Sequence, residues 1–275
     1  MLWFWPCYGR HNRLKKHNMT RNLSSLSFIS SDTDSAQEAA RHLASLYGQT
    51  DPNEADVIVA LGGDGFMLQT LHDTMASGKL IYGMNQGSVG FLLNEYREEG
   101  LRERIAAAVE HHIRPLEMVA TDAEGNSISA YAINEVSLLR QSYQAAKLKV
   151  LVDGRVRLEE LICDGLMVAT PAGSTAYNLS AHGPILPLEA PLLALTPVSP
   201  FRPRRWRGAL LPNRVTVEIE VLEGDKRPVN AVADHTEVKS VGSVMIRETN
   251  KVTARILSDP DHSWDDRILA EQFLY

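Results

Sequence analysis

The apolar positions of this chain follow two different rhythms, and the change from one to the other divides it. In the first part, the five apolar residues Val57–Leu61 follow Asp56 without a polar interruption and are rich in β-branched types, as in a strand buried on both faces. Leu26–Ser30 and Leu80–Met84 read as further short strands. Apolar residues at 36, 39, 40, 43, 44, 46 and 47 form a helical stripe from Ala36 to Tyr47. Leu68–Met75 reads as a second helix, and Glu98–Glu110 as a third, with Leu101, Ile105, Ala108 and Val109 on one face. Strands alternating with helices predict a parallel, Rossmann-like α/β sheet, whose functional loops gather at the carboxyl ends of its strands. The Gly62–Gly65 and Asn85–Gly90 loops both fall there and are expected to open onto one crevice.

After Arg114-Pro115 the spacing changes from helical to alternating. Glu117–Thr121 and Ser127–Arg140 flank a turn at Asp122, Gly125 and Asn126, and Lys147–Val152 and Val156–Leu161 flank Asp153-Gly154, a strong hairpin signal. Further strands are expected at Gly165–Ala169, Arg214–Val221, Pro228–Ala233 and Ser243–Glu248. A last helix is expected over Asp261–Phe273, with Trp264, Ile268, Leu269 and Phe273 available to pack back on the first domain. The expected division is a disordered extension over 1–18, an α/β nucleotide- and phosphate-binding domain over 19–115, a β-rich, sandwich-like domain over 116–248, and a returning segment over 249–275.

With 275 residues, a net charge of −6 and 44% hydrophobic residues, the chain reads as a soluble protein able to bury a large core. It has neither a membrane-length apolar run nor a global nucleic-acid signature, so no membrane or nucleic-acid partner is expected. Cys7 and Cys163 form neither a disulfide framework nor a metal cluster, which fits a reducing cytoplasm. In residues 1–18 the apolar part precedes the basic part, the reverse of a secretory leader, and Met19 is a candidate functional start. Arg202, Arg204, Arg205 and Arg207 surround Trp206, a composition able to grip a polyanion. It is read here as a solvated loop or a subunit contact instead.

The candidate chemistry centres on Asp64, a carboxylate displayed among Gly62, Gly63 and Gly65. A glycine loop between strand and helix offers backbone N–H groups to an anion, and the carboxylate offers a base, a pairing suited to a phosphate donor beside a hydroxyl. A helix-capping Asp is the plainer alternative. Three more clusters follow: Gly83-Met-Asn-Gln-Gly-Ser-Val-Gly-Phe91, Asn134-Glu135 inside a strand pattern, and Asp164-Gly165 leading to Thr170-Pro-Ala-Gly-Ser-Thr-Ala-Tyr177 and Ser180. Singly these have structural readings as a turn, a β-bulge and an N-cap. The histidines lack metal-ligand spacing, no Walker A sequence appears, and neither Gly-Ser segment has nucleophile-elbow spacing.

In this order, from about Phe28 to about Ile246, the four motifs resemble the NAD kinase family. Gly-Gly-Asp-Gly alone is shared with lipid kinases and phosphofructokinases, whereas the Thr170–Tyr177 string is specific. The resemblance implies phosphoryl transfer from ATP, or from polyphosphate, to the adenosine 2′-hydroxyl of NAD, with a divalent metal such as Mg²⁺ held largely by the nucleotide phosphates. It implies that Asp64 takes the hydroxyl proton and that Gly62, Gly63 and Gly65 face phosphates. Phe91 matches an aromatic lining the adenine site, Asn134 and Thr175 match residues bonding adenine, and Glu135 matches an acid near the reacting ribose. Asp164, Ala176, Tyr177 and Ser180 match positions holding the nicotinamide riboside end, some across a subunit contact, which implies a homodimer or homotetramer. Asp234 matches a late aspartate in the crevice. His235 stands where many relatives have glycine, and Phe66 where they often have threonine. The rival readings are a diacylglycerol-type lipid kinase and a catalytically silent NAD-binding regulator.

Overall fold

A computed structural model describes residues 24–275 apart from 86, 88, 89, 262, 263, 265, 266, 269–272, 274 and 275. The expectations for residues 1–18, Cys7 and Leu269 lie outside the described residues. The chain begins with β1 (Leu26–Ser30), α1 (Asp34–Tyr47), β2 (Val57–Leu61), α2 (Asp64–Thr74), β3 (Leu80–Asn85), β4 (Asn94–Glu95), α3 (Leu101–Ala107) and β5 (Val109–Ile113). It continues through β6 (Leu116–Asp122), β7 (Ser127–Ala132), β8 (Glu135–Arg140), β9 (Ala146–Val152), β10 (Arg155–Cys163) and β11 (Gly165–Ala169). A 3-10 turn (Ala172–Thr175) and the short α4 (Tyr177–Ser180) lead to β12 (Leu192–Val198), β13 (Ala209–Pro212), β14 (Thr216–Val221), β15 (Val229–Ala233), β16 (Thr236–Val238), β17 (Val241–Glu248) and β18 (Ala254–Ser258).

The first sheet has the order β1-β2-β3-β18-β5, with β4 beside β3. Its pairs are parallel except for β18 with β5. The unbroken apolar run of β2 is explained by helices on both faces. Val57, Val59 and Leu61 pack with Ala36, Ala39 and Leu43 of α1 and with Leu101 and Ile105 of α3. Ile58 and Ala60 face the other way, onto Met67 and Leu71 of α2. Thr33 starts α1, its hydroxyl accepting from the Ala36 N–H at 3.4 Å.

Two antiparallel sheets follow, in the orders β10-β9-β14-β17-β6-β7 and β13-β12-β11-β8-β15-β16. Residues of both share one apolar core, including Met118, Val150, Val217 and Ile246 from the first and Leu138, Leu166, Leu195 and Ala231 from the second. The exposed arginines of the 202–207 loop surround a half-buried Trp206 that packs on this core. Cys163 is a buried free thiol, whose pKa burial pushes up to about 12.

Two expectations need correction. The helix predicted over Glu98–Glu110 is confined to Leu101–Ala107, because Val109–Ile113 pairs with β18 as a strand. The strand predicted over Ser127–Arg140 breaks at Ile133-Asn134. The segment before the last helix forms β18, which fills the slot between β3 and β5. Beyond it, Trp264 and Ile268 are buried in the cluster of Met67, Leu71, Leu92 and Leu93, whereas Phe273 is 71% exposed. Ile133 and Ala172 join that same cluster, so the α2 face of the first sheet also carries the junction with the antiparallel sheets.

Candidate functional site

The helix α2 connects the two polar centres of the crevice, with Asp64 at its first residue and His72 near its end, about 12 Å apart at 1.5 Å per residue. Gly63 is the N-cap and contributes no side-chain cap bond, so Asp64 is not the capping residue. Its carboxyl turns outward instead and accepts the Leu92 N–H at 3.4 Å. A methyl group at Gly90 would lie 2.1 and 2.2 Å from the two carboxylate oxygens, so only glycine lets the second loop approach this closely.

Asp64 keeps open surface. Protein crowding on its Gly90 side nevertheless raises its pKa, and the N–H groups of Leu92 and Phe91 and the charge of Arg267 oppose that rise. The glycines differ in their surroundings. Gly62 is tucked between Phe66 and Ser31, while Gly63 and Gly65 face open space where a ligand can approach the backbone. Phe91 is half-buried.

The second centre is the break between β7 and β8. Registers of Ala169 with Glu135 and of Ala233 with Val136 place Asn134-Glu135 between the end of β11 and the end of β15. Thr170 bonds this break twice, its N–H to the Asn134 carbonyl at 2.9 Å and its hydroxyl to the Ile133 carbonyl at 2.7 Å. Gly173 lies so close that a Cβ there would meet the Asn134 carbonyl oxygen at 2.1 Å. The Thr-Pro-Ala-Gly string is thus a turn moulded onto Asn134, with half-buried Thr175 and Ala176 at its end. Ser174 and Asn178 are buried and hold this turn together, Ser174 through Leu186 and Asn178 through Thr196.

Asp234 closes the other flank. Its carboxylate accepts the N–H groups of Ile133, Asn134 and Glu135 at 2.6, 3.0 and 3.2 Å and faces His72 Nε2 at 2.7 Å. Its side chain is 0% exposed, so it acts on the crevice through the backbone that it holds. Burial, and then the charge of Asp234, raise the Glu135 pKa to about 8. One Glu135 oxygen, Oε2, is buried without a hydrogen-bond partner among the described residues.

The remaining candidates are not drawn together. Asp164 lies at the opposite end of β11 from Thr170, about 20 Å away at 3.3 Å per residue, and pairs with Arg140 at 2.6 Å. Tyr177 and Ser180 point their surface outward on α4. Sequence reasoning missed two residues: His72, which faces Asp234, and Arg267, whose Nη1 donates to the carbonyls of Gly90 and Phe91 at 3.2 and 3.0 Å. Among the described residues no group of three or more His, Cys, Asp or Glu is arranged to hold a metal ion.

The geometry offers open glycine backbone beside an available carboxylate, and a second polar centre toward the other end of α2. A model of the ATP-NAD kinase C-terminal domain matches residues 133–253. The NAD kinase of Rhizobium meliloti (strain 1021) is 72% identical over 255 residues, covering 93% of this chain and 99% of that protein. The chain belongs to the NAD kinase family. Another member, from Caulobacter vibrioides, is 59% identical over 248 residues, covering 90% of this chain and 95% of its own. Family membership makes the chain a phosphotransferase and sets aside the lipid-kinase reading. The fold agrees with two solved structures of related kinases. Yeast NADH kinase complexed with NADH has a TM-score of 0.78 at 22% identity, covering 92% of this chain and 87% of that one. An Archaeoglobus fulgidus NAD kinase in complex with ATP has a TM-score of 0.73 at 21% identity, covering 90% and 98%.

Proposed function

We propose that this NAD kinase transfers the terminal phosphoryl group of ATP to the adenosine 2′-hydroxyl of NAD, with Asp64 as the proton acceptor. The bond from the 2′-oxygen to the γ-phosphorus forms as that from phosphorus to the β–γ bridging oxygen breaks. ADP leaves, and the hydroxyl proton passes to the Asp64 carboxylate. The observation that carries this reading is the carboxylate itself, held at a helix N-terminus beside open glycine backbone, with no Arg or Lys bonded to it among the described residues.

Phe91 lines the adenine site, Asn134 and Thr175 bond the base, and the moulding of Thr170–Gly173 on Asn134 supports one continuous pocket. Glu135 stands near the ribose. Ala176, Tyr177 and Ser180 receive the nicotinamide riboside end. The separation of Asp164 from Thr170 within one chain favours a homodimer or homotetramer, in which a second copy brings Asp164 to the pocket. A divalent cation such as Mg²⁺, held largely by the nucleotide phosphates, would supply charge neutralisation for the transferring group, which fits a glycine loop that displays Asp64 and, among the described residues, no group of three or more His, Cys, Asp or Glu able to cage a metal. The enzyme acts in the cytoplasm.

The test is NADP formation from NAD, ATP and Mg²⁺, run beside Asp64→Asn with NAD binding measured by calorimetry. The variant is expected to bind NAD and lose about 10²- to 10⁴-fold in turnover, the usual contribution of a positioned base. Turnover within a few-fold of the parent rejects the role given to Asp64. Binding of NAD by the parent without turnover on any phosphate donor favours a silent regulator.

A further inference from the structure

Arg267 reaches the crevice from the far end of the chain. Its helical neighbours Trp264 and Ile268 are buried against Met67, Leu92 and Leu93, which carries the guanidinium to the back of the Gly90–Leu92 segment. There Nη1 donates to the carbonyls of Gly90 and Phe91. These carbonyls belong to the two peptide units whose N–H groups, those of Phe91 and Leu92, face the Asp64 carboxylate on the other side. In a trans peptide the C=O and N–H point in opposite directions, so each unit lies between the cation and the carboxylate. A cation at the carbonyl polarises the peptide and strengthens the hydrogen bond given by its N–H.

The guanidinium is costly to bury, and its Nη2 meets no hydrogen-bond partner among the described residues. Asp259, at the end of β18, and Tyr82 of β3 also face Arg267. Asp259 is already engaged by Arg104 of α3 at 2.5 Å and by the Tyr82 hydroxyl at 2.6 Å. Arg267 therefore faces two carboxylates, Asp259 and Asp64, and it reaches Asp64 through the Gly90–Leu92 peptide units.

We propose that Arg267 is a positioning residue for phosphoryl transfer, which through two peptide units fixes the Gly90–Leu92 segment against Asp64 and keeps that carboxylate ionised. The inference rests on the reading of Asp64 as base only in its catalytic consequence. Its electrostatic part stands apart from turnover, and the experiment separates the two.

The full-length protein is labelled with ¹³C-aspartate, and the Asp64 carboxyl, assigned by comparison with Asp64→Asn, is titrated by NMR in the parent, Arg267→Gln and Arg267→Lys. The pH dependence of kcat and the KM for NAD are measured on the same proteins. Loss of a cation near a carboxylate shifts its pKa upward. The Gln variant is expected to show that upward shift for Asp64, with the acid limb of kcat moving to higher pH by the same amount and KM within about twofold. Lysine should restore most of both, as a cation reaching the same carbonyls. Ile268→Ala loosens the same helix without removing charge. It should lower thermal stability and leave the limb in place.

An Asp64 titration that stays put in Arg267→Gln overturns the inference. An equal shift of the limb in Ile268→Ala overturns it as well, since packing alone then sets the limb. A shifted titration with an unmoved limb supports the hold of Arg267 on Asp64 and overturns Asp64 as the base.

Discussion

Asp64 and Glu135 both have carboxyls raised above their ordinary pKa by burial, but their surroundings answer that burial differently. Around Asp64 everything opposes it: two backbone N–H groups face the carboxylate, and a guanidinium stands behind them. Around Glu135 the second influence adds to the first, because Asp234 lies close by as an anion already supplied with its own donors. The N–H groups and the guanidinium therefore favour the ionised form of the first carboxyl, the form that can accept a hydroxyl proton. The second is kept protonated at neutral pH, able to donate a hydrogen bond but unsuited to accept a proton. On the proposed reading, the two carboxyls divide into base and recognition group through their neighbours, not their chemistry.

The comparison depends most heavily on Asp234. Three consecutive backbone N–H groups converge on its buried carboxylate, and Asp234→Ala strands all of them together with His72. An orphaned buried donor costs about 1–3 kcal/mol, so the variant should lose about 3 kcal/mol or more in urea unfolding. It should also lose NAD binding, since the Asn134-Glu135 break no longer has a fixed shape. A loss of under about 1 kcal/mol means that the break is held by the Thr170 side alone.

The Asp64 half is tested by a change with the opposite signature. In Gly90→Ala the atoms nearest the added methyl are the mobile end of the Asp64 side chain, which can swing away. Folding should be almost unaffected and the melting temperature preserved. The displaced carboxylate should nevertheless cost about 100-fold in kcat, as misplacement by about 1 Å does elsewhere. A variant with parent-like kcat shows that Asp64 works from a different rotamer, and the contrast with Glu135 would lose its geometric basis.

The legibility of this molecule in its sequence follows from the range of the forces involved. β2 was readable because burial on both faces leaves an unbroken apolar run. The glycines at 62, 90 and 173 were readable as motif positions, and the structure supplies the reason: each has a neighbour where a Cβ would be. The last strand was not readable. Ala254–Ser258 has little pattern of its own and becomes a strand because β3 and β5 leave a slot for it. The overlong helix at Glu98–Glu110 has the same cause, since the partner that draws Val109–Ile113 into a sheet lies far along the chain. Arg267 was invisible for a further reason. Its partners are backbone carbonyls some 177 residues away, and a carbonyl has no residue identity to leave a mark in the sequence. His72 faces a partner 162 residues away, and nothing near it announces that partner.

The last test sharpens the comparison most directly, because it reads the protonation of Glu135 without catalysis. Its pKa rises from 4.5 in the unfolded chain to about 8 in the fold. Between those values the folded protein keeps a proton that the unfolded chain releases. The protonated carboxyl therefore contributes its full stability below pH 4.5, and that contribution is lost progressively as pH rises to about 8. Glu135→Gln holds the group neutral at every pH and removes this dependence. The parent's melting temperature should fall more than the variant's between pH 5 and pH 8.5, so the Gln protein gains relative stability on the alkaline side. The difference should be several degrees, because groups unchanged by the substitution titrate alike in both proteins and cancel from it. Equal falls in the two proteins would mean that Glu135 ionises in its ordinary range despite its burial. The crevice would then hold two anions, and the assignment of base and recognition group would have to rest on distance to the ribose alone.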